Sequence, residues 1–195
     1  MDARILVFAK APVPGEVKTR LVPALGARAA AELHARLARR TIDMAVAAQV
    51  APVEIWCSPD DAHPFFRALE LPLRIQRGRD LGERMANALC DALSARRFAI
   101  LIGTDCPSMT GEYLREAAGR LAGGEDAVLG PAEDGGYVLI GLRRPEARVF
   151  QRIPWGSAQV LAATRRRLVG LGLRWHELPC LWDVDRAEDL ARLPC

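Results

Sequence analysis

Short apolar runs alternate with longer amphipathic segments along the chain. The run Phe98–Ile102 is continuously apolar and is followed by glycine and proline, a pattern typical of a strand buried on both faces of a parallel sheet. Comparable short runs predict the other strands. The predicted strands are Arg4–Ala9, Val53–Cys57, Leu73–Gln76, Phe98–Ile102, Asp126–Gly130, Val138–Leu142 and Arg174–Leu178.

Apolar residues near helical spacing predict helices between these strands. Because strands and helices alternate, we expect a three-layer α/β/α sandwich with a mainly parallel, mixed sheet. No linker, repeat or low-complexity segment interrupts the alternation, so residues 1–195 are predicted to form a single domain. The predicted helices are Gly26–Ala48, Asp60–Leu69 with His63 inside it, a segment from Gly78 to Leu93, Gly111–Leu121, a segment from Ser157 to Leu168, and Ala187–Leu193.

Composition excludes several classes of protein. Half of the 195 residues are hydrophobic, enough for a sizeable core, but no apolar window of about 18 residues predicts a membrane span. The net charge of +3 is modest and the basic residues are not interleaved with aromatic ones, so nucleic-acid binding is not expected. The five cysteines are scattered and the amino terminus lacks a signal-peptide pattern. We therefore expect a cytoplasmic protein without disulfides or a zinc site.

The loop between the first strand and the first helix contains every lysine of the chain. Of 27 basic residues only Lys10 and Lys18 are lysines, which suggests a need for a compact ammonium group there. Pro14-Gly15 fits the centre of a type II turn. A strand, a glycine-bearing basic loop and a helix form a common design for binding phosphates. The GxGxxG fingerprint is absent, and the P-loop pattern fails because Val17 stands directly before the lysine.

Two carboxylates have both a structural and a functional interpretation. Asp105 directly follows the central strand, at the edge where open α/β sheets bind ligands, and it could hold a divalent metal and through it phosphate oxygens. It could instead cap the helix that starts near Ser108 or close a turn. Asp80 could cap a helix with Glu83 completing a capping box, whereas Gly82 beside them would let a backbone or a ligand approach closely.

Two other loops place carboxylates together. Asp134-Gly135-Gly136 marks a tight turn that hairpin formation alone would explain, but with Glu133 and Tyr137 it also forms a polar group suited to substrate hydroxyls. In the segment Asp183-Val184-Asp185 the two aspartates share one side if the backbone is extended.

Taken in order along the chain, these segments resemble a bacterial family of GT-A-type glycosyltransferases in the nucleotide-diphospho-sugar transferase superfamily. Some members of that family are assigned to arsenosugar biosynthesis. Each piece is weak alone, but the combination is specific and spans essentially the whole chain. The segments are Phe8–Gly15, Lys18–Leu21, Gly82–Met85, Gly103–Pro107, Asp134–Leu142, Asp183–Asp185 and Glu188–Leu190.

The resemblance implies a Rossmann-like GT-A fold, Mg²⁺ or Mn²⁺ as cofactor, a nucleotide-sugar or NTP ligand and a small-molecule acceptor. Asp105 matches the superfamily's metal-binding aspartate, and Asp185 resembles the second metal carboxylate of related nucleotidyltransferases. The first loop would hold the diphosphate, the start of the following helix would lie near the base or ribose, and the Asp-Gly-Gly turn would line the sugar or acceptor side. The candidate binding residues are Lys10, Pro14, Gly15, Lys18, Thr19 and Arg20, then Leu81, Gly82 and Arg84, then Thr104, Gly135, Gly136 and Tyr137.

The chain departs from the family pattern at both metal positions. Thr104-Asp105-Cys106 lacks a full DxD triplet and leaves one carboxylate there. The closing DxDTPEDL pattern keeps its acids, in the segment 183–190, but loses its Thr-Pro pair. The second metal ligand is therefore the less firmly supported of the two.

Metal-assisted transfer of a sugar from a nucleotide-diphospho-sugar to a small acceptor is the leading hypothesis. In it the basic residues of the first loop, Lys18 among them, neutralise the leaving diphosphate. Asp134 would accept the acceptor's proton, with Glu133 or Asp183 as alternatives.

Three other functions remain open at this point. The main alternative is a nucleotidyltransferase that joins an NTP to a phosphorylated small molecule and releases pyrophosphate, although the first loop lacks the GxGxRM-like run of those enzymes. A non-catalytic nucleotide-binding module would need fewer charges than the chain offers. Covalent catalysis by Cys106 would depend on a helix amino end lowering the pKa of its thiol.

Overall fold

The computed structural model describes residues 2–193, and within them the strands form one seven-stranded sheet in the order β3-β2-β1-β4-β6-β5-β7. All strands run parallel except β6, which is antiparallel to both of its neighbours. The predicted mainly parallel, mixed sheet is thus confirmed. The strands are β1 (Ala3–Lys10), β2 (Val53–Ser58), β3 (Leu73–Ile75), β4 (Phe98–Ile102), β5 (Ala127–Pro131), β6 (Tyr137–Leu142) and β7 (Trp175–Glu177).

Helices cover both faces of the sheet. Short 3₁₀ helices at Thr19–Leu21, Ala147–Phe150 and Ala187–Arg192 supplement the α-helices. No helix among residues 2–193 is long and apolar enough to cross a membrane. The α-helices are α1 (Val22–Leu25), α2 (Ala27–Ala47), α3 (Pro64–Arg67), α4 (Leu81–Leu93), α5 (Gly111–Ala122) and α6 (Val160–Gly170).

Strand β4 lies at the centre and is buried on both faces, as its continuous apolar pattern predicts. Ile100 and Ile102 pack with α2 and α5 on one face. Ala99 and Leu101 pack with α4 and α6 on the other. A strand covered by helices on both sides needs apolar residues at every position, which explains why β4 shows no alternation.

Two predicted helices differ from the structure in length or type. The helix predicted over Asp60–Leu69 is only the single turn α3. It begins at Pro64 because proline fits the first helical position and the His63 ring Nδ1 accepts from the Phe65 N–H as its N-cap. His63 therefore lies outside the helix. The closing helix predicted over Ala187–Leu193 is the 3₁₀ helix Ala187–Arg192.

Helix α4 begins as the structural interpretation of Asp80 predicts. Asp80 Oδ1 accepts the Glu83 N–H at 2.8 Å, so Asp80 is an N-cap. The capping box is incomplete, because the Glu83 carboxylate accepts from the backbone N–H of Arg79 instead of that of Asp80. This cap holds the first turn of α4 at the carboxyl edge of the sheet.

Candidate active site

A cavity of about 410 Å³ opens at the carboxyl edge of the parallel strands. Open α/β sheets bind their ligands at this edge. Its wall combines apolar and aromatic side chains from the sheet with charged residues from three loops. The polar and loop residues that line it are Arg20, Gly103, Asp134, Gly136, Ser157, Asp183, Asp185 and Arg186, and the larger apolar ones are Phe8, Leu81, Met85, Tyr137, Trp155 and Val160.

Asp105 is held by the basic loop that precedes α1. Lys18 Nζ lies 2.6 Å from Asp105 Oδ1 and 2.5 Å from the Val184 carbonyl oxygen, and the Lys18 side chain is only 4% exposed. Oδ1 is buried and lies against this ammonium in a close charged contact. The Asp105 side chain as a whole is 46% exposed, so the rest of the carboxylate is open to a ligand.

Lys18 reaches this position through a backbone conformation that residues other than glycine rarely adopt. Its φ and ψ are 49° and 39°, in the left-handed region. A non-glycine residue in that region costs about 1 kcal/mol or more, and such strain is often found at functional sites. The contacts of the ammonium with Asp105 and Val184 fix the conformation.

His34 is a site residue that the sequence analysis missed. Its ring is buried on α2, with Nε2 2.9 Å from the Lys10 carbonyl oxygen and Nδ1 3.7 Å from Asp105 Oδ1. Burial raises the pKa of Asp105, but the His34 imidazole and the Lys18 ammonium outweigh it and hold that pKa at about 2. Asp105 is therefore ionised at neutral pH. A histidine among apolar residues at helical spacing was the only signal in the sequence.

The tail of the chain closes against the backbone of the same residue, Asp105. The Val184 N–H donates to the Asp105 carbonyl oxygen at 2.9 Å, and Arg20 of the basic loop forms an ion pair with Asp185. Val184 is fully buried, and Asp183 and Asp185 both line the cavity. The middle of the chain, its tail and the basic loop therefore meet at one place.

Asp183 is the carboxylate whose charge is least compensated. Burial and the negative charges of Asp134 and Asp105 raise its pKa to about 6. The negative charges of three aspartates thus act on one another, and Lys18 is the cation that offsets part of the effect on Asp183. Within residues 2–193, no three Asp, Glu, His or Cys side chains are already arranged as a metal cage. Carboxylate oxygens are nevertheless the donors that Mg²⁺ and Mn²⁺ prefer, and the chemistry of this donor set fits such an ion.

We expect Asp183 to make the stability of the ligand-free protein depend on pH. A raised pKa in the folded state means that protonated Asp183 favours folding below about pH 4, and that this contribution is lost as pH rises through 6. The substitution Asp183→Asn should remove the dependence and stabilise the protein at pH 7 by about 1–2 kcal/mol, a value reduced for solvent screening. Urea unfolding of both proteins from pH 4 to 8 measures it, and parallel pH profiles would contradict the assignment.

The Asp134-Gly135-Gly136 turn serves both the hairpin and the cavity. Asp134 Oδ1 accepts the Gly136 N–H at 2.7 Å, which closes the turn between β5 and β6. Gly135 has φ of +86°, and a Cβ there would collide with the backbone of Ala158. The Gly135 carbonyl oxygen accepts the Leu161 N–H at 2.8 Å, so the start of α6 docks on the turn.

Other residues predicted for the site lie outside the wall of the cavity. Lys10 Nζ donates to the Glu16 carbonyl oxygen at 2.7 Å within the loop. The turn with Pro14 and Gly15 is exposed at the tip of the loop. Gly15 has φ of +84°, and the Glu16 N–H donates to the Val13 carbonyl oxygen. Both features agree with the predicted type II turn. Lys18 and Asp105, which contact each other, and Gly135 are also absent from the wall. The remaining residues outside it are Thr19, which is exposed, Thr104, which is buried, Gly82, which packs against Trp155, and Arg84, whose guanidinium donates to the Gly78 carbonyl oxygen and Ser58 Oγ.

The structure weakens two alternatives raised by the sequence. Glu133 is in an ion pair with Arg192 at 2.6 Å, and hydrogen bonds from that arginine lower its pKa, so it is a poor proton acceptor. Cys106 is 3% exposed, and burial raises the pKa of its thiol. Covalent catalysis requires the thiolate, so the environment of Cys106 opposes it.

Gly103 lies on the cavity wall without any packing reason to be glycine. A Cβ at this position would meet nothing within 4 Å, and φ is not positive. Gly103→Ala should therefore leave the melting temperature within about 2 °C of the wild type, because no atom needs to move. If a ligand fills the space, the same methyl group should weaken its binding about tenfold or more. Calorimetry with nucleotides measures this, and unchanged binding would place the ligand away from Gly103.

The sheet order, the two helical layers and the charged cleft at the carboxyl edge define the GT-A fold of nucleotide-diphospho-sugar transferases. The profile of a bacterial family described as "Uncharacterized protein conserved in bacteria (DUF2064)" matches residues 41–157, and the chain belongs to that family. No curated protein matches the chain significantly.

Solved structures agree on the fold. A protein from Desulfovibrio desulfuricans G20, whose proposed activity is that of a nucleotide-diphospho-sugar transferase, is 35% identical, with a TM-score of 0.88 over 95% of this chain and 83% of the other. CMP:2-keto-3-deoxy-manno-octonic acid synthetase, solved with CTP, is 11% identical, with a TM-score of 0.65 over 98% and 96%. Glucosyl-3-phosphoglycerate synthase from Mycobacterium tuberculosis, solved with Mn²⁺ and UDP, is 12% identical, with a TM-score of 0.59 over 98% and 75%. The last two likenesses concern the fold alone.

Proposed function

We propose that this protein is a divalent-cation-dependent glycosyltransferase that moves a sugar from a nucleotide-diphospho-sugar to a small acceptor. The observation that carries the proposal is that Lys18 contacts Asp105 and Arg20 pairs with Asp185, where the tail segment joins Asp105 to a cavity lined by Arg20, Asp183 and Asp185. A diphosphate needs cations around it and a cation needs carboxylates, and this cleft supplies both. The relative from D. desulfuricans supports the substrate class.

Asp105 is the proposed principal ligand of the cation, because it is ionised and only partly covered. Asp185 is paired with Arg20, so it would become available when Arg20 turns to the diphosphate, whereas Asp183 forms no salt bridge with any of residues 2–193. Bound Mg²⁺ or Mn²⁺ would stabilise negative charge on the leaving nucleoside diphosphate. The Mn²⁺ in the mycobacterial synthase structure is in keeping with this role.

The other roles follow the position of each segment. Lys18 and Arg20 would neutralise the diphosphate, helped by Lys10 and by the exposed turn and threonine of the same loop. The first turn of α4 would lie near the nucleoside. Asp134, on the cavity wall, would accept the acceptor's proton: one of its oxygens accepts the Gly136 N–H, and the other remains available. The glycines of its turn and Tyr137 would line the sugar.

A nucleotidyltransferase is the second candidate, because the carboxylates of Asp105 and Asp185 could hold the cation of an NTP equally well. It would join an NTP to a phosphorylated small molecule and release pyrophosphate. The two functions share the basic loop and the cation, so their products distinguish them better than their binding properties.

Product analysis tests the proposal. The protein is incubated with Mn²⁺ and either UDP-, GDP-, ADP- and CDP-sugars or the four NTPs with sugar phosphates, and products are followed by ³¹P NMR. Release of a nucleoside diphosphate from a nucleotide-sugar is the expected result. Release of pyrophosphate would assign the second function, and tight binding without turnover would indicate a non-catalytic nucleotide-binding module.

A further inference from the structure

Trp155 stands between two cavities. Behind the active-site cavity, a second groove of about 480 Å³ runs between the first turns of α4 and the segment 147–153. Trp155 is the one residue that lines both spaces. Its side chain therefore forms the partition between them.

The partition is held in place from two sides. At Gly82, a Cβ would lie 2.6 Å from the indole Nε1 and 2.8 Å from Cζ2, so only glycine lets the indole pack so close to α4. On the cavity side the Tyr137 ring meets the indole edge to face, with centroids 6.4 Å apart and planes at 79°. Gly82 is thus a close-approach glycine, but the group that approaches is a side chain of this protein.

The surfaces on the active-site side of the partition suit a sugar ring. Tyr137 and Trp155 offer aromatic surface to the apolar C–H face of a pyranose, while Asp134 and Asp183 offer acceptors to its hydroxyls. The diphosphate-binding groups lie across the same cavity, at Arg20 and the residues beside it. A nucleotide-sugar anchored there would direct its sugar toward Trp155.

We propose that Trp155 is a specificity-determining wall that limits the substituents on the transferred sugar, so that the preferred donor carries a plain hexose and bulkier N-acetylated sugars are rejected. The inference rests on the proposed function. If it is right, removing the indole joins the 410 Å³ cavity to the 480 Å³ groove and admits a larger sugar. The indole then acts by exclusion, which is a common source of specificity.

The test compares UDP-glucose with UDP-N-acetylglucosamine on the wild type, Trp155→Ala and Trp155→Phe. Release of UDP gives kcat/KM for each donor, and calorimetry gives each dissociation constant. We expect Trp155→Ala to raise the N-acetylglucosamine-to-glucose ratio of kcat/KM about tenfold or more, and Trp155→Phe, which keeps an aromatic wall, to change it less than about threefold. Trp175→Ala is the matched control, because it removes an indole packed against the same core cluster but away from both cavities.

The possible outcomes distinguish a failure of the Trp155 wall hypothesis from a failure of the proposed function. If the ratio of kcat/KM for the two donors is the same in all four proteins and UDP is still released, the wall hypothesis is wrong but the proposed transferase function stands. A ratio that rises as much in Trp175→Ala would also overturn the wall, because loss of stability would then explain the change. If the wild type uses another nucleoside, the same two sugars are compared on that nucleoside. Failure of the wild type to bind or cleave any UDP-, GDP-, ADP- or CDP-sugar would count against the proposed function, and the wall hypothesis would fail with it.

Discussion

Replacing Asp105 with Asn is expected to lower the rate of nucleoside diphosphate release by about 100-fold or more, the effect typical of losing one electrostatic contribution to a transition state. The substitution removes the charge that would hold the cation but keeps an oxygen beside Lys18 Nζ, which lies 2.6 Å from Asp105 Oδ1. Alanine at position 105 would leave the buried Lys18 ammonium without this partner and destabilise the protein. A loss of activity could then reflect a loss of stability. Initial rates with Mn²⁺ in excess measure the effect.

Asp91→Asn is the matched control, since Asp91 is an exposed carboxylate near the end of α4 and outside the active-site cavity. It should keep essentially full activity. Asp105→Asn should retain its circular dichroism spectrum and still bind nucleotide weakly through the basic loop. Full activity of Asp105→Asn would remove the cation site from the mechanism.

The second large effect is expected at Lys18, and the two lysines should differ sharply. Lys18→Met should reduce kcat/KM about 100-fold, because it removes the buried ammonium that faces Asp105 while keeping a side chain of similar length. Lys10→Met should cost less than about tenfold, because the exposed Lys10 ammonium is bound to the Glu16 carbonyl oxygen within its own loop. Steady-state kinetics on the two variants compares them directly.

Lys18→Arg provides a further control for Lys18. A planar guanidinium does not fit a space shaped for a compact ammonium, so this variant should remain well below the wild type despite its charge. Equal losses at Lys10 and Lys18 would mean that the net charge of the loop, rather than the contact with Asp105, sets the activity.

The framework of the fold follows from local pattern. A five-residue apolar run such as Phe98–Ile102 predicts a strand buried on both faces. The 21-residue helix α2 is predicted by apolar residues at helical spacing. The boundaries of short elements do not follow in this way. Pro64 and the His63 cap set the start of α3 four residues after Asp60, and a cap made by a histidine ring is not visible in the spacing of apolar residues.

The candidate site could be predicted only in part, because its contacts join distant parts of the chain. The topology of an α/β sheet places Asp105 at the ligand-binding edge, and alternation places Asp183 beside Asp185. Lys18 and Val184 are 166 positions apart in the sequence, and no local pattern signals their contact. His34 and Trp155 were missed for the same reason, since their roles depend on what packs against them.

The most direct test is a crystal structure with Mn²⁺ and a nucleoside diphosphate, read by anomalous scattering at the manganese edge. We expect the manganese peak in direct contact with the Asp105 carboxylate and the diphosphate between it and Lys18. A diphosphate bound away from Lys18, or manganese bound elsewhere while the nucleotide occupies the cleft, would contradict the account.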